Sequence, residues 1–438
     1  MIWLQLAVVL AAIFLGARLG GIAIGFAGGI GVLVLALLGV KPGAMPLDVI
    51  SIIMAVICAI AAMQVAGGMD WLVSLADRLL RRNPRHLLFL APVITYLMTF
   101  MAGTGHTAFS TMPVITEVAK ENDIRPSRPL ALGVVASQIA ITASPISAAV
   151  VFLSKALEPR GVDYLSILAV CIPSTFLACM ATAAVFMFVD SHNPRSPLHC
   201  DPEYQRRLEA GKVSVRGGAT KQIPPGAKAS VGIFLAGLVA VMTYATAISD
   251  KVGLIKNPVL PLDAAIIAFM LTIATIITLV TRIQPGDILD APTFKSGMSA
   301  AICVLGVAWL GTTFVSAHED AIKAFAGDLL RGQPWLLAVI LFFAASLLYS
   351  QAATTKAIVP TAIALGVGNT AIVASFAAVS ALFVLPTYPT LLAAVEMDDT
   401  GSTRIGKGII NHPFLLPGIV AIAFSVAFGF LFGGMLVG

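Results

Sequence analysis

Tyr349-Ser350-Gln351-Ala352-Ala353-Thr354-Thr355-Lys356-Ala357-Ile358-Val359-Pro360 is the stretch on which the reading of this chain turns. Hydroxyls, an amide and one lysine stand there between long apolar runs. An ionised group at membrane depth costs about 2.5–3.5 kcal/mol on insertion scales. A chain keeps such a group where it lines a cavity or meets a partner. The first half holds an answering stretch, Gly103-Thr104-Gly105-His106-Thr107-Ala108-Phe109-Ser110-Thr111-Met112-Pro113. Each stretch opens on small or polar residues and closes on a proline. The two read as opposed jaws of one binding site.

Composition sets the medium. Hydrophobic residues make up 58% of the chain and charged ones only 11%, whereas soluble chains run at about 25% charged. Many runs approach the ~20 apolar residues that cross a bilayer. The chain therefore reads as an all-α polytopic membrane protein whose constant partner is lipid. Its net charge of +5 belongs to loops and indicates no nucleic-acid partner. The first apolar run opens at Ile2 without a basic n-region or a small-residue cleavage site, which predicts a retained helix rather than a signal peptide. Cys58, Cys171, Cys179, Cys200 and Cys303 show no paired spacing, so free thiols, no metal site and no cofactor are expected.

The order of elements repeats. Residues 1–190 predict spans at 2–15, 20–40 and 47–66, an interfacial amphipathic helix at 69–83, a re-entrant hairpin at 86–120, a span at 128–157 broken by Ser144-Pro145, and a span at 164–189. A polar segment, 191–228, predicts a cytoplasmic linker. Residues 229–438 then predict spans at 229–249, 259–281 and 295–316, an interfacial helix at 318–332, a hairpin at 335–366, a broken span at 370–396 and a last span at 412–436. The scheme holds about ten spans, two of them broken, plus two hairpins. Proline removes a backbone donor, and in lipid the freed groups are tolerated only where protein or a wet cavity satisfies them.

Orientation follows from charge. Placing Arg78–Arg85 and Lys120–Arg128 inside puts most of the 27 Lys and Arg on the cytoplasmic side, as the positive-inside rule requires. Both termini then come out periplasmic, and the second half starts on the opposite face from the first. Inverted repeats with broken helices meeting at the midplane are a recurring plan of secondary transporters.

The polar elements suit anions. A hairpin tip and a broken helix each expose backbone N–H groups at a helix N-terminus, where partial positive charge favours carboxylates. Candidate substrate contacts are Thr104, Gly105, His106 and Thr107 at the first tip, and Ser144, Pro145 and Ser147 at the first break. Ser350, Gln351, Thr354, Thr355 and Lys356 stand at the second tip, and Thr387, Tyr388 and Pro389 at the second break. Each has a plainer reading. Ser and Thr often bond their own helix carbonyls, Lys356 can snorkel to water, His106 can cap a turn, and Gln138 and Gln351 can join helices. Glu396, Asp398 and Asp399 read as a solvated turn. What favours function is four interruptions at matching places in two halves.

Several motifs carry a resemblance. Gly16-Ala17-Arg18, Leu79-Leu80-Arg81-Arg82-Asn83-Pro84, Gly103-Thr104-Gly105-His106, Ile124-Arg125-Pro126 and Ala143-Ser144-Pro145 resemble the Dcu family of anaerobic C4-dicarboxylate transporters. So do Ile172-Pro173-Ser174-Thr175, Ser350-Gln351-Ala352-Ala353, Leu385-Pro386-Thr387-Tyr388-Pro389 and Ile409-Ile410-Asn411-His412. The likeness runs from about residue 15 to 418. It implies a bacterial inner-membrane antiporter, not an enzyme, exchanging C4-dicarboxylate substrates such as fumarate, malate or aspartate for succinate. More distantly, the two polar stretches resemble the hairpin tips of divalent-anion/sodium symporters, although the Asn of those tips is absent from both. That architecture implies an elevator-type transporter working on a homodimer scaffold. The alternative is a sodium- or proton-coupled symporter of dicarboxylate or of a gluconate-like hydroxy-monocarboxylate. An intramembrane enzyme is disfavoured, because no His-Glu-x-x-His and no paired aspartates occur in the spans.

Overall fold

The computed structural model describes residues 1–19, 22–45, 47–191, 197–213, 223–248, 254–318, 320–321, 330, 332–386, 388–406 and 411–437. Within them the chain is helical, with a single isolated β-bridge between Ile124 and Pro197. The first half runs α1 (Ile2–Leu19), α2 (Ala23–Leu37), α3 (Leu47–Val65), α4 (Gly68–Arg82), α5 (Leu87–Ala102), α6 (Ala108–Glu121), α7 (Ser127–Ala140), α8 (Ala148–Leu157) and α9 (Tyr164–Ser191). After a short α10 (Pro202–Glu209) come α11 (Ala227–Ile248), α12 (Leu262–Thr281), α13 (Pro285–Asp290), α14 (Pro292–Ala317), α15 (Leu336–Leu348), α16 (Gln351–Ala364), α17 (Asn369–Ser375), α18 (Pro389–Met397) and α19 (Leu415–Leu436).

Apolar length separates these helices. Pro84–Ala102, Ser127–Arg160, Tyr164–Asp190, Ala227–Ile248, Leu262–Thr281, Pro292–Ala317 and Leu415–Leu436 are long and apolar enough to cross a membrane. Not every expected span reaches that length by itself. Ile2–Gly16, Ala23–Leu37 and Asn369–Phe383 are apolar but shorter, and the span expected at 47–66 qualifies only together with α4. The reason is local. Gly67 takes the left-handed conformation at φ +83°, the chain bends by 71° between α3 and α4, and the charged α4 leaves the line of the apolar helix. Asp70 in its first turn and Arg81 and Arg82 in its last suit the helix dipole. The interfacial helix expected at 318–332 lies largely outside the described residues, as do 192–196 and 214–222 of the linker.

Two groups of helices form. In one, α1 packs on α2, α2 on α14, α14 on α3, α3 on α12, and α12 on α11. In the other, α5 packs on α7, α9 on α19, and α15 on the 3-10 segment Phe376–Phe383. Contacts between the halves are reciprocal: α6 meets α18, and α16 meets α8.

Polar bonds fix which ends lie together. Lys120 Nζ donates to Asp399 at 2.9 Å, the Ser127 amide to Ser402 Oγ at 3.1 Å, and Arg128 Nε to Asp190 at 3.0 Å. Arg81 reaches Glu117 and Glu121, tying α4 to the foot of α6. At the other end of α9, an Arg160 guanidinium nitrogen donates to the Val367 carbonyl at 2.9 Å, and Asn369 Nδ2 to the Arg160 carbonyl at 3.2 Å. The 28 residues of α9 separate these sets by about 42 Å at 1.5 Å per residue. The α5–α6 hairpin therefore opens at one end of α9 and the α15–α16 hairpin at the other.

Of the three acids expected in a solvated turn, Glu396 is exposed and Asp399 partly so, but Asp398 is not. Asp398 is buried, and its carboxylate accepts from the Thr400 and Thr403 amides and the Ser402 hydroxyl. Sequence cannot distinguish that from an exposed acidic turn, because the donors are supplied by the way the loop folds.

Candidate anion-binding cavity

Both hairpin tips turn by the same device. After α5 the chain passes through Gly103 at φ +66°, and after α15 through Tyr349 at φ +52°. A β-carbon at Gly103 would come 3.0 Å from Ile146, so the turn packs tightly against the first break. Beyond each tip a helix begins: a 3-10 turn Gly105–Thr107 leading into α6, and α16 with Ser350 as its N-cap. The two breaks also end in helix starts. Ser147 caps α8 in an extended conformation, and Tyr388 precedes α18, whose first residue is Pro389.

These four helix starts meet at one cavity of about 160 Å³. Thr104 and Gly105 line it from the first tip, Ser147 to Ala149 from the first break, Ser350 to Ala352 from the second tip, and Tyr388 and Pro389 from the second break. Its far wall is apolar, with Ile52 and Val56 of α3 and Cys303 and Val304 of α14. Among the described residues, none that lines it carries a charged side chain. An anion there would meet N–H dipoles and hydroxyls in a low dielectric, where such contacts are stronger than in water.

The expected site residues divide. Thr104, Gly105, Ser147, Ser350, Gln351, Tyr388 and Pro389 line the cavity. Thr107, Ser144, Pro145, Thr354, Thr355 and Lys356 stand behind it. Thr107 Oγ1 shares a hydrogen bond with Thr99 Oγ1 at 3.0 Å. The Ser144 hydroxyl donates to the Phe100 carbonyl at 2.7 Å, and Pro145 contributes its carbonyl to the Tyr164 hydroxyl. Thr354 and Thr355 each donate one turn back, to the carbonyls of Ser350 and Gln351 at 2.7 Å. Thr387 and the His106 side chain lie outside what is described.

Lys356 takes a course the sequence left open. Its ammonium pairs with Asp48 in the first turn of α3 and stands 6.0 Å from the Phe152 ring centre. The lysine thus joins the second hairpin to the neighbouring helix group. Gln351 and Gln138 form a link across the halves: Gln351 Nε2 donates to the Gln138 carbonyl at 2.7 Å and to Ser380 Oγ at 3.1 Å, and Gln138 Nε2 donates to Thr390 Oγ1 at 3.0 Å. Sequence reading missed Asp48 and the apolar wall from α3 and α14. Asp48 looks like an ordinary helix-start acid, and the wall residues look like any lipid-facing run.

The geometry has relatives among known proteins. A family model described as anaerobic C4-dicarboxylate membrane transporter matches residues 1–437. The chain is 63% identical over 438 residues to the C4-dicarboxylate transporter DcuA of Wolinella succinogenes, covering all of both chains. It is 56% identical over 437 residues to DcuA of Escherichia coli K12, again over the full length of both. Against the anaerobic C4-dicarboxylate transporter DcuB of Escherichia coli O6:H1 it is 37% identical, covering 99% of this chain and 98% of that one. Among solved structures, the fold resembles the YdaH transporter of Alcanivorax borkumensis with a TM-score of 0.53 at 15% identity, over 88% and 86% of the two chains. This multi-pass membrane chain belongs to the family of anaerobic C4-dicarboxylate membrane transporters.

Proposed function

We propose that this chain is a secondary carrier exchanging C4-dicarboxylates, among them fumarate, malate, aspartate and succinate, across the bacterial inner membrane in anaerobic respiration. The observation that carries the reading is the convergence of four helix N-termini on one cavity with no charged side chain among its described lining residues. Each N-terminus presents roughly half a positive charge. One terminus holds a carboxylate weakly, whereas opposed termini each take one end of a dianion. Thr104, Gly105, Ser147, Ser350, Gln351, Tyr388 and Pro389 are the proposed contacts, with His106 and Thr387 beside them in the chain. The names of the relatives support the cargo.

Residues 1–190 and 229–438 act, in this reading, as inverted repeats. The hairpins opening at opposite ends of α9 and the reciprocal packing of α6 on α18 and α16 on α8 support it. The hairpins and broken helices would move as an elevator against the group containing α2, α3, α11, α12 and α14. The test is uptake of labelled succinate into proteoliposomes loaded with fumarate, succinate or buffer alone. Exchange requires a counter-substrate inside. Uptake at equal rates into empty vesicles would overturn antiport, and absence of uptake under all loadings would overturn the dicarboxylate assignment.

A further inference from the structure

The two tips share a backbone turn but not a residue. The first uses glycine, and the second holds Tyr349 at φ +52°. A side chain in this region crowds its own backbone, and glycine is the unstrained occupant. A bulky residue held there, at a ligand cavity, signals a use for its side chain. Tyr349 is buried and lines the cavity together with Tyr388 of the second break. The two rings lie 6.1 Å apart at 33°. Tyr349 also packs in a cluster with Ile24 of α2 and Val307 of α14, so it spans from the hairpin tip to the neighbouring helix group. Among the described residues, the opposite tip presents Gly103, Thr104 and Gly105. Among these residues, the cavity therefore meets small residues at the first tip and aromatic rings at the second.

We propose that Tyr349, braced by Tyr388, is the end wall that sets the longest dicarboxylate the cavity admits. This rests on the dicarboxylate reading above. A diacid held between opposed helix starts must place one carboxylate at each, so its chain length fixes the span it needs. An extra methylene then pushes against the Tyr349 ring. A single methylene in a pocket is discriminated about 10- to 200-fold.

The test compares succinate with glutarate, one methylene longer, as competitors of labelled succinate exchange in proteoliposomes. Y349G suits the backbone, because glycine occupies the matching turn of the first tip. Y349F keeps the wall and removes only the hydroxyl. In the wild type and in Y349F, glutarate should compete at least about 10-fold less well than succinate. In Y349G the gap should shrink several-fold while succinate exchange persists. A full wild-type gap in active Y349G would overturn the proposal, as would loss of the gap in Y349F, which would place selection in the hydroxyl. If Y349G moves no substrate, thermal-shift titration of the purified variant with both diacids makes the same comparison, and an unchanged gap overturns the wall. A wild type that binds neither diacid would overturn the cargo reading itself.

Discussion

Ser350 and Thr354 lie one turn apart on α16, yet their hydroxyl protons have different fates. Ser350 Oγ accepts from the Ala353 amide at 3.2 Å, which leaves its own proton free to donate into the cavity it lines. Thr354 Oγ1 spends its proton on the Ser350 carbonyl. The same contrast separates Ser147, whose oxygen accepts from the Ala149 amide, from Ser144, which donates to Phe100. A hydrogen bond to a charged group is worth about 1.5–3 kcal/mol. Ser350→Ala should therefore weaken succinate affinity about tenfold or more, with an added loss of about 1 kcal/mol of stability from the missing cap. Thr354→Val keeps shape and forfeits only a back-bond, so affinity should stay within about threefold. Substrate-dependent thermal shifts and exchange KM check both, and equal effects from the two would reject this division.

At the scale of elements, two lysines bridge the helix groups. Lys356 of α16 pairs with Asp48 of α3, and Lys155 of α8 with Asp263 of α12 at 2.9 Å. Both pairs are partly exposed, with Lys155 at 61% and Asp48 at 43% side-chain accessibility. Such pairs are worth about 0.2–1 kcal/mol, too little to hold a fold and suited to an interface that must part. Lys356→Asp and Asp48→Lys should each lower the exchange rate, and the two combined should restore it. A lysine acting directly on substrate charge would not be rescued by the swap, so failure of rescue returns Lys356 to the site. Outside the membrane, Arg206 and Arg207 hydrogen-bond Glu203 and hold its carboxyl at about 2. A depressed carboxylate pKa gives stabilisation that is present above the unfolded value near 4.3 and lost only as pH falls toward 2. Arg207 also donates to the Asp399 carbonyl at 3.3 Å. This anchor of α10 on the 398–403 turn should be unchanged from pH 5 to 8, as amide exchange of α10 would show.

For the whole molecule, the proposed one-for-one exchange of two dianions, such as fumarate for succinate, moves no net charge. Potassium diffusion potentials of either sign, set with valinomycin, should leave the rate unchanged. A strong dependence on sign would reveal a coupled ion. The elevator reading makes a second demand. A bifunctional thiol cross-link between cysteines placed at Lys155 and Asp263, in a background without native cysteines, should stop exchange because it ties the moving group to the fixed one. The same reagent between Lys120 and Asp399, which pair where the first hairpin meets the turn after α18, both in the proposed moving part, should leave most exchange intact. Equal inhibition by both would argue against movement between the groups.

Sequence by itself determined the medium, the helical class and the four places where helices are interrupted, because each is written in local chemistry. Apolar runs are incompatible with water, and clustered hydroxyls, glycines and prolines are incompatible with lipid unless they line a cavity. It also placed Thr104, Gly105, Ser147, Ser350, Gln351, Tyr388 and Pro389 at those interruptions. The tertiary structure decided which side chains face inward. Hydroxyls of one type differ only in where their protons go, as Ser350 and Thr354 do. Lys356 was readable as a buried cation, but its partner Asp48 stands 308 residues away. The burial of Asp398 and the apolar wall from α3 and α14 depend on which segments pack together. Local polarity carries no record of such distant pairings, since each is fixed by the closure of the chain on itself.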